Sequence, residues 1–286
     1  MRLRRDNILI ICLLLLLSLN VREASASDFV VVVDAGHGGH DAGCVGTKAR
    51  EKDITLDVSK RLSQKINDRL AGVKSILTRN EDRFLTLQQR ADIANRNNGD
   101  LFISIHVNSV DYKTPGRRQV HGASVYTLGP DKSKNNLNVA MRENAVMELE
   151  EDYSRTYKGF DPTSTESYII FELNQNAHMR QSIDFATIAQ DHLINDAGRA
   201  DKGVRQDGFW VLWATRMPAV LVELDFICNP QSESFLNSAQ GREICAEALF
   251  NAVKAYYEKS KSSAKNTSEK DADSSYYSQT VMSAFK

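Results

Sequence analysis

Apolar segments with strand-like and helix-like spacing alternate along the chain. The run FVVVV at 29–33 is continuously apolar and ends at a glycine-rich loop, a pattern typical of a strand that is covered on both faces. From Ile54 to Ile66, large aliphatic residues recur every four positions and form one stripe of a helix. The same alternation continues along the chain and predicts an α/β fold, with an open, mainly parallel, twisted sheet flanked by helices on both faces.

The later elements follow from the same patterns. Strands are predicted at 73–78, 101–107, 122–128, 209–212 and 219–224, and helices at 53–66, 86–98, 178–195 and 241–257. About 50 residues separate the strand at 122–128 from the helix near 178, which is longer than an ordinary connection in a compact α/β domain. We therefore predict a helical insert at 129–177.

The predicted insert contains one amphipathic stretch. Its apolar residues recur at helical spacing and predict a helix at 137–152: Leu137, Met141, Ala145 and Leu149. Acidic residues, among them Glu148, crowd the C-terminal half of this helix. Acids at that end oppose the helix dipole, so they are expected either to face solvent or to have a partner elsewhere in the fold.

The two ends of the chain differ in composition from the middle. Arginines precede an apolar run at 8–19, and Ala24 and Ala26 follow it, which predicts a secretory signal peptide at 1–26. The run is shorter than the roughly 20 residues of a membrane-spanning helix, so we expect no membrane anchor after cleavage. The Ser- and Lys-rich segment 259–286 predicts a disordered tail. The folded domain is therefore expected at 27–258.

Charge and cysteine content limit the class of partner. The chain has 36 basic and 37 acidic residues, a net charge of −1, so we expect no binding to nucleic acid. Three cysteines, at 44, 228 and 245, follow the predicted signal peptide. Their odd number and wide spacing argue against a disulfide scaffold, while a single bridge stays open.

Four ionisable residues fall at one predicted edge of the sheet. His37 follows the first strand in DAGHGGHDAG, and Glu51 opens the first helix from the same edge. His106 ends the strand in ISIHVN, and Glu223 ends the strand in AVLVEL. Open α/β sheets bind ligands at the carboxyl ends of their strands. Two imidazoles and a carboxylate are ligands that Zn²⁺ accepts while a fourth position holds water, so we predict one catalytic zinc ion per chain.

Other uses of the glycine-rich loop fit its residues less well. A dinucleotide-binding loop would have a third glycine where this chain has Asp41, and this acid would repel a pyrophosphate. A structural zinc site built from His37, His40 and Cys44 lacks a nearby fourth ligand. In a catalytic site, Gly36 and the glycines after it let the chain turn so that His37 reaches the sheet edge. Asp41 would then hold the loop by hydrogen bonds.

Five ordered segments carry a resemblance to one enzyme family: VVVDAGHGGHDAG, REKDITL, ILTRNEDRFLTLQQRADIAN, LFISIHVNS and MPAVLVELDFICNP. Together they resemble the zinc-dependent N-acetylmuramoyl-L-alanine amidases of the amidase 3 type. The resemblance implies that His37, Glu51 and His106 are the zinc ligands and that Glu223 is the catalytic glutamate. It also implies that the substrate is peptidoglycan, cut at the amide between N-acetylmuramic acid and L-alanine of the stem peptide.

The chain departs from the family pattern just after the catalytic glutamate. Asp225 stands where glycine is usual, and Cys228 stands where serine is common. Asp225 shares a strand face with Glu223, so we expect it to raise the pKa of Glu223. Asn108 lies two residues after His106, on the same face of its strand, and is a candidate for substrate contact.

Relatives that act in cell division resemble this chain in carrying a helical insert at the position of 129–177. In those relatives the insert covers the active site until an activator displaces it. By this resemblance we expect the 137–152 helix to dock through its apolar stripe, with Glu148 or a neighbouring acid reaching the metal. The resemblance also implies a protein activator as a partner, a periplasmic location, and a role in wall remodelling and daughter-cell separation.

Two other classes of function stay open at this level. A zinc peptidase that cuts within the stem peptide would use the same ligands. A non-catalytic wall-binding protein would be favoured if the metal site were broken, and every matched ligand is present in this chain.

Overall fold

The computed structural model describes residues 28–129, 134–169 and 177–283, and the predicted signal peptide lies outside them. Six strands form one sheet: β1 (Phe29–Ala35), β2 (Val73–Leu77), β3 (Leu101–Asn108), β4 (Ala123–Leu128), β5 (Asp201–Asp207) and β6 (Ala219–Phe226). Their order in the sheet is β2-β1-β3-β6-β4-β5. The first four strands in this order are mutually parallel, whereas β4 pairs with β6 in the antiparallel direction. The predicted open, mainly parallel sheet is confirmed.

Helices cover both faces of this sheet. They are α1 (Glu51–Arg69), α2 (Leu87–Arg96), α3 (Lys134–Asn144), α4 (Tyr153–Thr156), α5 (Met179–Asn195), α6 (Trp210–Trp213), α7 (Pro230–Asn237) and α8 (Ala239–Ser283). One apolar core lies between the sheet and α1, α5 and α8. A second core lies on the opposite face, between the sheet and α2, α3 and α6. Each face therefore buries its own apolar layer, as the continuous apolar strands require.

The edge strand β5 lies at 201–207, whereas the sequence analysis predicted a strand at 209–212. The segment 209–212, predicted as a strand, forms the short helix α6, and the strand is instead the polar segment DKGVRQD. Six of its seven residues are half-buried or exposed. Edge strands commonly carry charged residues, so this strand has no apolar run by which to recognise it.

The insert and the C-terminal segment also differ from the predictions. The single helix predicted at 137–152 ends at Asn144 and continues as a 3₁₀ helix over Ala145–Leu149. Helix α8 continues to Ser283, through most of the segment predicted as a disordered tail. No proline or glycine interrupts the sequence after residue 241, so no backbone signal ends the helix earlier.

Two further features bear on the class of protein. Within the described ranges, no helix combines the length and the apolar composition needed to cross a membrane. Cys44, Cys228 and Cys245 are free thiols, so the disulfide left open by the sequence is not formed.

Candidate metal centre

Two imidazoles and two carboxylates meet at the carboxyl edge of the sheet. His37 follows β1, Glu51 is the first residue of α1, and His106 lies near the end of β3. These are the three residues that the sequence predicted as metal ligands. The fourth group is Glu143, from helix α3 of the insert. One potential ligand atom from each of the four residues lies within 4.8 Å of the others, and each side chain is at most 9% exposed.

The loop after β1 presents His37 in a left-handed backbone conformation, with φ of 60°. Gly36 is required beside it, because a Cβ at this position would lie 2.5 Å from Cε1 of His106. Gly43 is required for the same reason, since its Cβ would lie 2.6 Å from Cδ2 of His37. The His37 ring is oriented by Asp41, whose Oδ2 lies 2.7 Å from Nδ1 and leaves Nε2 facing the cluster.

Two buried arginines hold the backbone beneath this loop. Arg90 donates to the carbonyl oxygen of His37 at 2.7 Å and to Asp34 Oδ1 at 2.8 Å. Arg79 donates to the carbonyl oxygens of Ala35 and Gly36 at 2.9 and 2.8 Å. The sequence analysis missed both residues, although they lie in the segment ILTRNEDRFLTLQQRADIAN that carries the family resemblance.

Glu51 is fixed by hydrogen bonds to the backbone at both oxygens. Its Oε1 accepts from the amide of Val107 at 2.7 Å, and its Oε2 accepts from the amide of Cys44 at 2.7 Å. Burial alone would raise the pKa of this carboxyl, but His37 and His106 hold it far below its usual range. Glu51 is therefore an ionised carboxylate in a fixed position.

The cluster favours positive charge. Burial would lower the pKa of His106, but Glu143 and Glu51 raise it to about 9. The pKa of His37 is also raised well above its usual range, because Glu51 and Asp41 outweigh the effect of burial. A cation that replaced these protons would satisfy the same field.

Buried atoms of the cluster without hydrogen bonds fit a metal ion. Glu143 Oε2 lies 3.0 Å from His106 Nδ1 and 3.2 Å from His37 Nε2. In the described part of the chain, neither His37 Nε2 nor Glu143 Oε2 makes a hydrogen bond with acceptable geometry. Buried polar atoms are rarely left unsatisfied, and two imidazoles with carboxylates form a donor set that zinc accepts. The residues present therefore fit a bound zinc ion.

Glu223 lies on β6 next to this cluster, three residues before the strand ends, and is paired with His106 in the register of the sheet. Its side chain is fully buried, and burial raises its pKa to about 8 although Arg142 opposes the shift. The guanidinium of Arg142 comes from the insert and lies 3.2 Å from Glu223 Oε1. Arg142 also lies 2.8 Å from Glu143. The insert therefore contributes two charged groups, Glu143 among the potential metal ligands and Arg142 next to Glu223.

Asp225 is not among the groups with the largest effects on the pKa of Glu223. Its carboxylate accepts hydrogen bonds from Arg199 and Ser232 and from the amide of Gly122, each at 2.8 Å. The acids that do raise the pKa of Glu223 are Glu143 and Glu51. Sharing a strand face with Glu223 therefore does not make Asp225 a main influence on the pKa of Glu223, because local hydrogen bonds engage the Asp225 carboxylate.

Glu148 is not the acid of the insert that reaches the cluster. The helix α3 ends at Asn144, and the buried polar residues at its end are Glu143 and Asn144, whereas Glu148 is exposed. The neighbouring acid that enters the site is Glu143, five residues earlier. Because α3 gives way to a 3₁₀ helix, the face that meets the sheet is not the face expected from one continuous helix.

A cavity of about 810 Å³ opens beside the cluster. Asn108, predicted as a substrate contact, lines it and is almost fully buried. Its Oδ1 accepts from Arg142 at 3.2 Å and from the amide of Ser109 at 2.8 Å. The cavity extends over β4 to the edge strand β5.

Comparison with known proteins gives one consistent family. A family model described as N-acetylmuramoyl-L-alanine amidase matches residues 31–255. The amidase AmiC of Escherichia coli O6:H1 is 33% identical over 236 residues, which cover 80% of this chain and 52% of AmiC. AmiA of Escherichia coli K12 is 30% identical over 242 residues, which cover 82% of this chain and 78% of AmiA. The structure of the amidase AmiC2 of Nostoc punctiforme superimposes with a TM-score of 0.58 at 26% identity, over 80% of this chain and 97% of AmiC2.

Proposed function

The chain belongs to the N-acetylmuramoyl-L-alanine amidase family, and on this premise we propose that it is an exported zinc hydrolase of peptidoglycan. It cleaves the amide between N-acetylmuramic acid and L-alanine of the stem peptide. The observation that carries the proposal is the convergence of His37, Glu51 and His106 at the carboxyl edge of parallel strands, beside the buried Glu223.

His37, Glu51 and His106 would hold the zinc ion, one ion per chain. When bound, zinc supplies Lewis acidity, which polarises the scissile carbonyl and makes water a better proton donor. The protein orients the donors through Asp41 on His37 and through backbone amides on Glu51. Such outer hydrogen bonds fix ring orientation and donor geometry before substrate arrives.

Glu223 is the residue placed to move protons. It is buried within β6, and in the described residues its Oε2 has no hydrogen-bond partner. It takes a proton from the attacking water and returns it to the amine of L-alanine as the carbon–nitrogen bond breaks. Asn108 lines the adjoining cavity and contacts the substrate there.

The arrangement of the insert is a closed state. Glu143 lies among the metal donors, and Arg142 lies on the carboxylate of Glu223. A scissile amide has to approach both groups, so the insert has to move before catalysis. We propose that a protein activator displaces it and that this control suits a periplasmic enzyme of wall remodelling and daughter-cell separation.

Zinc content and product identity test the proposed function. The purified chain should hold one zinc ion and should release from purified peptidoglycan intact stem peptides and glycan that keeps its lactyl groups, as read by mass spectrometry. His37→Ala should lose the ion and lower hydrolysis by about a thousandfold, because the donor set falls to one imidazole and one carboxylate.

His40→Ala is the matched control, because His40 lies in the same loop but is exposed and packs on the ring of Phe84. It should keep both zinc and activity. Zinc loss in this variant would favour the structural site with Cys44. Cleavage inside the stem peptide would identify a peptidase, and zinc binding without any cleavage would leave a wall-binding protein.

A further inference from the structure

A buried lysine connects the start of α1 with the loop that carries His37. Lys52 directly follows Glu51 in α1, and its side chain is 7% exposed. Its Nζ donates to the carbonyl oxygen of Gly39 at 2.7 Å and to Oδ2 of Asp82 at 2.7 Å. A buried ammonium group needs partners, and these two bonds provide them.

Asp82 completes this contact from the segment after β2. Its Oδ1 accepts from the amide of Gly39 at 2.8 Å, while its Oδ2 accepts from Lys52. Both bonds lower the pKa of this carboxyl, so it stays ionised. Lys52 and Asp82 together therefore hold the amide and the carbonyl oxygen of one loop residue. We call this pair of side chains the Gly39 clamp.

Gly39 lies in a tight turn that ends on the residue that orients His37. Gly38 and Asp41 exchange two backbone hydrogen bonds, of 2.9 and 3.1 Å, which close this turn. The carboxylate of Asp41 accepts from the amide of Gly43 at 3.0 Å and lies 2.7 Å from Nδ1 of His37. Holding Gly39 consequently holds Asp41, and Asp41 sets the plane of the His37 ring.

We propose that the Gly39 clamp is a positioning device for the metal centre, which acts through Asp41 to set the His37 ring for zinc. Neither side chain of the clamp belongs to the donor set. The inference rests on the zinc site of the proposed function and adds the residues that set its geometry. It also gives a role to two charged residues of the segments REKDITL and ILTRNEDRFLTLQQRADIAN.

A positioning role differs in its consequences from two other roles. If the clamp acted on zinc only through its charges, loss of Asp82 would weaken zinc binding and loss of Lys52 would strengthen it, because one is an anion and the other a cation. If the clamp only stabilised the fold, the zinc affinity of folded protein would not depend on it. A positioning role predicts that either loss weakens zinc binding.

Zinc affinity of the full chain, measured by competition with a chelator, tests the clamp. Asp82→Ala and Lys52→Met should each raise the zinc dissociation constant by about fivefold. This is less than the roughly tenfold or larger effect of losing a direct partner of a metal-binding histidine, because the clamp acts one contact further away. Circular dichroism of the metal-free chain confirms that each variant is folded before the titration.

Glu81→Ala is the matched control, because it removes the same charge as Asp82→Ala from the exposed neighbouring position. It should leave the zinc dissociation constant unchanged. Asp82 is about half exposed, so Asp82→Ala carries the test even if the change at the buried Lys52 prevents folding.

A double variant identifies the route of the effect. Asp41→Ala should by itself weaken zinc binding by about tenfold, because the His37 ring loses its partner. In this background, Asp82→Ala should change the dissociation constant by less than about twofold, since the clamp no longer reaches the ring.

Unchanged zinc affinity in Asp82→Ala, or tighter binding in Lys52→Met, would overturn the clamp. A fivefold loss that persists in the Asp41→Ala background would overturn it as well. These results would leave the amidase assignment intact, because the parent chain would still bind zinc and cleave. A parent chain without zinc would overturn both proposals, whereas zinc binding without a cut at the muramoyl amide would overturn only the assignment.

Discussion

The candidate metal centre is assembled from two regions that are held in different ways. The sheet-edge region consists of the loop after β1, the start of α1 and the end of β3, and it provides His37, Glu51 and His106. The insert region, around α3, provides Glu143 and Arg142. Both regions place buried groups in the same cluster, but only the sheet-edge region is built into the central sheet.

The anchors of the two regions explain the difference. Beneath the sheet-edge region, Asp34 is buried and bonded to Arg90, Thr78 and Ser104. The insert is held instead by packing on the second apolar core and by polar anchors at that contact. Asn144 donates to the carbonyl oxygen of Gly208 at 2.8 Å and accepts from the amide of Trp210 at 3.0 Å.

This comparison indicates which of the two regions is held more firmly by the fold. Removing the sheet-edge region would expose a buried ion pair and disrupt parallel strands, a cost that affects the whole domain. Releasing the insert costs only its own contacts with the second apolar core. The groups from the sheet edge are therefore anchored more firmly than the groups from the insert.

The largest effect is expected from breaking the sheet-edge region at Arg90. Arg90→Met leaves the buried carboxylate of Asp34 without its ion pair, which should lower the free energy of unfolding by about 4 kcal/mol. Loss of the bond to the His37 carbonyl should weaken zinc binding by about tenfold or more. Denaturant unfolding and zinc competition measure the two effects. Arg96→Met, at an exposed position of the same helix, is the control, and equal behaviour of both variants would contradict the contrast.

An intermediate effect of the opposite sign is expected from the insert. Glu143→Ala removes the carboxylate that lies among the metal donors. This change should raise peptidoglycan hydrolysis by about tenfold if it lowers the ratio of closed to open insert by a factor of ten. Zinc content should stay at one ion, because three donors remain. Glu148→Ala, on the same insert but exposed, should leave the rate unchanged. A fall in the activity of Glu143→Ala would show instead that this acid is needed for catalysis.

The smallest effect concerns the pH dependence of insert docking. Burial raises the pKa of Glu150, although its hydrogen bonds with Tyr157 and the amide of Leu87, and the charge of Arg90, oppose the shift. A raised folded-state pKa means that the folded state binds the proton more tightly, so this contribution is complete below about pH 4.5 and is lost as pH rises through the folded pKa.

Unfolding measured from pH 4 to 7 should show this loss, at less than about 1 kcal/mol. Glu150→Gln stays neutral over the whole range and should remove that part of the slope. Glu151→Gln, at the exposed neighbouring position, should retain it. An identical slope in the parent chain and in Glu150→Gln would show that Glu150 does not couple docking to pH.

The sequence by itself determined five of the six strands, the longer helices and three of the four cluster residues. The strands are recognisable because they are buried on both faces and therefore continuously apolar. His37, Glu51 and His106 follow from them, because parallel strands bring their carboxyl ends to one edge whatever the side chains in between. Topology thus converts positions that are far apart in sequence into neighbours.

Only the tertiary structure decided which groups from outside the sheet edge contact the cluster. Glu143 is one of several acids in the insert, and the end of α3 together with its packing on the sheet selects it over Glu148. Arg79 and Arg90 bond carbonyl oxygens, which leave no trace in residue type. The polar strand β5 is recognisable only through its pairing with β4. The physical reason is common to all three cases: burial and direction of a polar side chain depend on packing between elements, and local spacing does not encode that packing.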